Sequence, residues 1–157
     1  MTQIFLKTKT VPVGDISVSI RQLSGLERLD FMDYCSSIDE PERPVNPGEQ
    51  ASEEEQDRYL SELNRYTQKW FRISFITQAR LVAYGYREGV EDINERQNQI
   101  IGMMTPEQVT ILHNEIAKFS GLPVPSVESD ASISESTSPE TTTTEEATTQ
   151  EPTDPKV

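Results

Sequence analysis

From Ser52 to Tyr84 the chain contains neither a proline nor a glycine. Ser52 and Glu55 form a capping box at the head of this run, and Glu53 to Asp57 place negative charge at the positive end of a helix dipole. The run reads as one long helix around which the other elements must be arranged. Leu60, Leu63, Thr67, Trp70, Ser74, Thr77, Leu81 and Tyr84 recur three or four apart, with Tyr59, Tyr66, Ile73 and Ile76 in a second row. Together they make an apolar surface wider than a two-helix seam requires. Phe71, Phe75 and Val82 add bulk on a further side. This helix is therefore either central to a core or an interaction rod, and Gly85 and Gly89 end it.

The flanking segments are shorter. Residues 3–8 and 15–20 read as two strands, because Ile16, Val18 and Ile20 alternate with polar residues; Pro12 and Gly14 mark their connection as an antiparallel hairpin. Two strands alone are marginal, so the hairpin must lean on a helix or on strands from another subunit. Ser24 and Glu27 form a second capping box, opening a helix to about Ser37 whose apolar side is Leu26, Leu29, Met32 and Tyr34. Residues 39–50 hold Pro41, Pro44, Pro47 and Gly48 and read as an exposed loop. A weaker helix spans about Asp92 to Met103. The last has Thr105 as N-cap, Pro106 at the first helical position and a stripe of Val109, Leu112, Ile116 and Phe119; Gly121 is its left-handed C-cap, and Pro123 prevents continuation. The fold class is α+β, mainly α: an N-terminal hairpin followed by about four helices, one of them long and central.

After Leu122 the composition changes to Ser, Thr, Glu and Pro without an aromatic residue. Residues 123–157 carry eight acidic residues against the single Lys156, about −7 of the total charge of −13; residues 1–122, with 13 Lys and Arg against 19 Asp and Glu, carry the other −6. So polar a segment cannot bury enough apolar surface to offset the entropy of ordering, and it is expected to be a disordered acidic tail behind a folded domain of residues 1–122. Hydrophobic content is only 34%, so the body would gain by burying a face against copies of itself or a partner. The charge argues against nucleic acid or an anionic membrane as that partner. No apolar run reaches 18 residues and no signal-peptide core is visible, so the chain reads as cytosolic.

The residues that carry chemistry are sparse. His113, the one histidine, has Glu115 two positions on, which points to a different helix face; it reads as a surface or boundary residue. Cys35 has no base nominated for it and reads as a buried or half-buried thiol. The acidic pairs and triplets lack the spacing and central glycine of a calcium loop. No phosphate-binding loop and no metal-ligand cluster stands out, so neither an enzyme nor a cofactor is expected. Leu63, Tyr66, Trp70, Phe71 and Phe75 of the long helix are candidate partner-binding residues, although Trp70, Phe71 and Phe75 are most simply read as core.

Ile4-Phe5-Leu6-Lys7-Thr8, the strand around Ile16-Ser17-Val18, and Gln22 through Leu29 resemble the minor tail protein G family of lambda-like phages. Ala79-Arg80-Leu81-Val82-Ala83 is similar to that family's central helix, and Thr105-Pro106-Glu107 through Phe119-Ser120-Gly121 to its last helix. The resemblance covers most of residues 4–122 in short stretches, and the proline-rich loop at 41–48 has no counterpart in it. It implies a tail assembly chaperone that binds the tape measure protein and keeps it soluble until tube subunits polymerise around it. It further implies a host-cytoplasmic protein absent from the finished virion, and a longer product of a −1 ribosomal slip whose extension recruits the tail tube protein. Asp154-Pro155-Lys156 can be encoded GAC-CCA-AAG, which contains a slippery heptamer in the required frame. The alternative is a structural tail-completion or minor tail component retained in the virion.

Overall fold

The computed structural model describes residues 5–124. The expectations placed on the acidic tail, on Asp154, Pro155 and Lys156 among them, lie outside the described residues. Two strands come first, β1 (Thr8–Val13) and β2 (Ile16–Arg21), then four helices: α1 (Gly25–Ser36), α2 (Glu53–Gly85), α3 (Ile93–Met103) and α4 (Pro106–Phe119). The expected mixture of a hairpin and four helices with one long central member is the fold observed.

The hairpin departs from expectation in its first strand, which runs from Thr8 to Val13: of the expected 3–8, residues 3 and 4 lie outside the described residues and 5–7 are not strand. Pro12 therefore lies inside a strand, and the connection shrinks to Gly14 and Asp15. Gly14 has φ +62°, as a two-residue hairpin turn demands at its first position. The backbone N–H of Gln22 donates to the Lys7 carbonyl at 3.0 Å. Counting from that pair along the register, in which Pro12 faces Ser17, places Pro12 in a non-hydrogen-bonded pair, where its missing donor faces away from β2. Val11 and Val13 then turn inward with Val18 and Ile20, whereas Ile16 lies beyond the edge of the core.

The core is assembled from that inner face of the hairpin, Leu23, the last turns of α2, Ile100 of α3, and Val109, Leu112, Ile116 and Ala117 of α4. The α4 stripe matches its expected spacing. Thr105, Ser52 and Ser24 each close a capping box, and Asp92 caps α3. Gly121, at φ +71°, turns the chain so that the Leu122 N–H reaches the Ala117 carbonyl at 2.8 Å, the left-handed exit expected there. Gly85 does more than end α2: a Cβ placed on it would lie 2.6–2.7 Å from three side-chain atoms of Ile116. Its bare backbone is what allows α2 and α4 to pack this closely.

Two features differ from the sequence reading. The first is the orientation of α1. Leu26, Leu29 and Met32, expected on its apolar side, are 69%, 60% and 58% exposed. Tyr34 faces inward as expected, but its companions there are Glu27 and Phe31. Glu27 is held by Arg21 at 2.6 Å and by Arg87, Phe31 packs on the core, and the Tyr34 hydroxyl accepts from Gln97 Nε2 at 2.9 Å. Charged and polar contacts thus select the buried side against the hydrophobic pattern. The second is the division of α2. With 33 residues it is about 50 Å long, against roughly 30 Å for the width of a small domain. Its fully buried residues are confined to Ala79–Gly85, so it is core at one end and a projecting rod at the other.

Candidate partner-binding surface

On the projecting part of α2, Tyr59, Leu63, Tyr66, Trp70, Ile73 and Thr77 are all half-buried, at alternating intervals of four and three. That period of 3.5 keeps them in one seam along the helix. Tyr66 and Trp70 meet edge to face with ring centroids 6.3 Å apart. What lies on the seam is not a helix but the proline-rich segment 38–50, of which Ile38, Pro41 and Pro44 are half-buried and most of the rest exposed. Among the described residues, no hydrogen bond or salt bridge joins residues 39–50 to α2. Three gaps separate this strap from the helix. One of about 460 Å³ is bordered by Arg43, Val45, Glu62, Tyr66 and Lys69. The others, about 260 Å³ near Tyr59 and Leu60 and about 170 Å³ near Ile38, Trp70 and Ile73, sit towards either end.

The five residues nominated from sequence are not brought onto one face. Leu63, Tyr66 and Trp70 belong to the seam beneath the strap. Phe71 turns away from it and is 65% exposed. Phe75 packs against the core. Further exposed apolar side chains are Leu60 on α2, the outward Leu26, Leu29 and Met32 of α1, Met103 at the end of α3 and Ile111 on α4.

Polar locks hold the base of the rod, and sequence reasoning missed them. Arg80 stacks over the rings of Tyr34 and Tyr84, 4.5 and 5.5 Å from their centroids, and donates to Asn94 at 2.7 Å and Gln97 at 3.1 Å. Gln97 also donates to the Ile76 carbonyl at 3.0 Å. Arg96, only 5% exposed, donates to the carbonyls of Ala83 (2.6 Å), Val90 and Glu91 (both 2.8 Å). A cation is thereby placed at the negative end of α2, and the chain leaving that helix is tied to α3. Desolvation, with Arg87 and Arg21 nearby, lowers the Arg96 pKa. The one signal available in the sequence was that Arg96 and Gln97 lie one turn before Ile100 and Ile101.

The reactive side chains sit apart. Cys35 is half-buried, bordering the gap near Trp70, and burial raises its pKa away from the thiolate. His113, half-buried beside Asn114, has its pKa lowered by burial, so the neutral ring is favoured. Glu115 turns instead to Lys9, at 3.1 Å. Among the described residues no group of histidine, cysteine and carboxylate side chains is arranged to hold a metal ion, and no helix is long and apolar enough to cross a membrane.

The described residues thus form a rod with aromatic and aliphatic side chains at its surface, rooted in a small core. Over residues 4–142 the chain matches the family model described as bacteriophage lambda tail assembly chaperone, protein G, and it belongs to that family. The matched span includes all six elements. No curated protein and no solved structure matches it.

Proposed function

We propose that this tail assembly chaperone binds the tape measure protein and keeps it soluble, before and during polymerisation of the tail tube. The observation that carries the reading is the outward apolar set on two helices: Leu26, Leu29 and Met32 of α1, and Leu60 and Phe71 of α2. A chain with so little hydrophobic content would hide these side chains if they had no use. Each contact is weak, but many copies along a long apolar client add avidity. The excess of acidic residues over positions 123–157 keeps loaded complexes apart. Tube subunits displace the chaperone from its client in the host cytoplasm, and it is left out of the virion. A −1 slip at the codons for Asp154, Pro155 and Lys156 yields a longer product whose extension recruits the tail tube protein.

Of the five nominated residues of α2, Phe71 is the one best placed to touch a client directly. The test is co-expression with the tape measure protein. Phe71→Glu and Leu29→Glu leave the chaperone folded, judged by helical circular dichroism and an unchanged unfolding midpoint, yet move the client from the supernatant to the pellet. A wild-type chain that neither forms a complex nor raises the soluble fraction of the client overturns the proposal. Finding the chain in mature particles overturns it in favour of a retained tail component.

A further inference from the structure

The strap is a poor match for what it covers. Six seam positions at a period of 3.5 are the shape that accepts the knobs of a facing helix. The strap offers three half-buried apolar side chains, Ile38, Pro41 and Pro44, and leaves three gaps. It has the reach: residues 38–49 at ~3.1 Å each extend about 34 Å, against ~27 Å of helix from Tyr59 to Thr77. It lacks the contacts, since no hydrogen bond or ion pair among the described residues fastens 39–50 to α2. A cover held this loosely can be exchanged for a better one.

The charges beside the seam identify the replacement. Glu62 and Lys69 are exposed, and each immediately precedes a seam residue, Leu63 and Trp70. If two copies of α2 pack antiparallel through this seam, Leu63 of one copy meets Tyr66 of the second and Tyr59 meets Trp70. That same alignment sets Glu62 against Lys69 of the second copy, twice by the two-fold symmetry. It also brings Leu60, 59% exposed, beside Thr67 of the second copy. A parallel pairing would set Glu62 opposite Thr67 and Lys69 opposite Ser74, and it would leave both charges without a partner. Charge and apolar register thus agree on one arrangement.

We infer that the seam Tyr59–Leu63–Tyr66–Trp70 is the dimerisation surface of this protein, on which α2 of a second copy packs antiparallel in place of the strap. Two rods joined in this way present Leu26, Leu29, Met32 and Phe71 of both copies outward, and they double the valency available to a long client. The dimer does not depend on the client reading.

The full chain is examined alone by sedimentation equilibrium over about 1–100 μM, with three variants. Glu62→Lys and Lys69→Glu each bring like charges together at both symmetric positions, and each weakens dimerisation about tenfold; the double variant returns it to within a few-fold of wild type. Both sites are exposed, so folding is unaffected, and circular dichroism checks this. Ile38→Ser loosens the strap and tightens the dimer several-fold. In a Cys35→Ser background, Glu62→Cys with Lys69→Cys gives a disulfide between position 62 of one copy and position 69 of the other, read by peptide mass mapping. A chain that stays monomeric at 100 μM overturns the inference. So does a dimer indifferent to the charge exchange, one that crosslinks only 62 to 62, or one that Ile38→Ser weakens.

Discussion

Replacing Gly85 by alanine tests the closest approach in the core. The added Cβ would stand 2.6–2.7 Å from Cδ1, Cγ1 and Cγ2 of Ile116, well inside the ~3.5 Å at which carbon atoms rest against one another. Ile116 is fully buried and cannot swing aside, so the helices must separate or the side chain must leave its rotamer. Overpacking of this kind costs about 1–3 kcal/mol. Removing a helical glycine returns up to ~1 kcal/mol, less at Gly85 because it is the last residue of α2. The net expectation is a loss of about 1–2 kcal/mol, measured by urea unfolding followed by circular dichroism at 222 nm. A double-mutant cycle isolates the cause. Ile116→Ala alone opens a cavity and costs roughly 2–4 kcal/mol. Combined with Gly85→Ala it should cost about 1–2 kcal/mol less than the two single losses added, because the atoms that clash are gone. If Gly85→Ala proves neutral or stabilising, or the two effects simply add, then α2 and α4 are not packed through this glycine and the reasoning fails.

Arg96→Met keeps the length of the side chain and removes its donors, leaving the carbonyls of Ala83, Val90 and Glu91 without these partners. The expected loss is roughly 2–4 kcal/mol, with faster amide exchange confined to the α2–α3 connection and the end of α2. For Glu27, burial raises the carboxyl pKa, but the Ser24 amide together with Arg21 and Arg87 outweighs burial and leaves it below its ordinary 4.5. A carboxyl depressed in the folded state stabilises fully above its unfolded pKa and loses that contribution as pH falls through the folded value. Unfolding midpoints should therefore drop below about pH 4.5, and Glu27→Gln should flatten that drop while lowering stability at neutral pH.

What could be read in the sequence was what short-range chemistry determines. Ser24, Ser52 and Thr105 announced their helices because a capping box needs only four adjacent residues. The long helix was visible because nothing between Ser52 and Tyr84 can break it. The stripe Val109–Leu112–Ile116 was visible because α4 meets the core along a single face. The misreadings share a different cause. Pro12 reads from sequence as part of the connection, but the pairing phase set at Lys7 and Gln22 puts it inside β1, where no donor is required. Hydrophobicity alone points Leu26, Leu29 and Met32 inward; the actual side is set by Glu27 reaching Arg87, sixty residues away. Trp70, Phe71 and Phe75 fell into three different environments because a helix longer than its core has no single inside. Periodicity finds which residues share a face, but it does not tell what the face will meet.

That α2 is rooted only by its final turns has an evolutionary corollary. Residues 53–74 contribute little to whether the chain folds, and the burden of folding falls on the hairpin, α3, α4, Phe75 and Ala79–Gly85. Under the proposed function, drift along the shaft can retune the client surface while the anchorage stays under purifying pressure. Relatives should diverge fastest along the shaft and slowest where Gly85 touches Ile116.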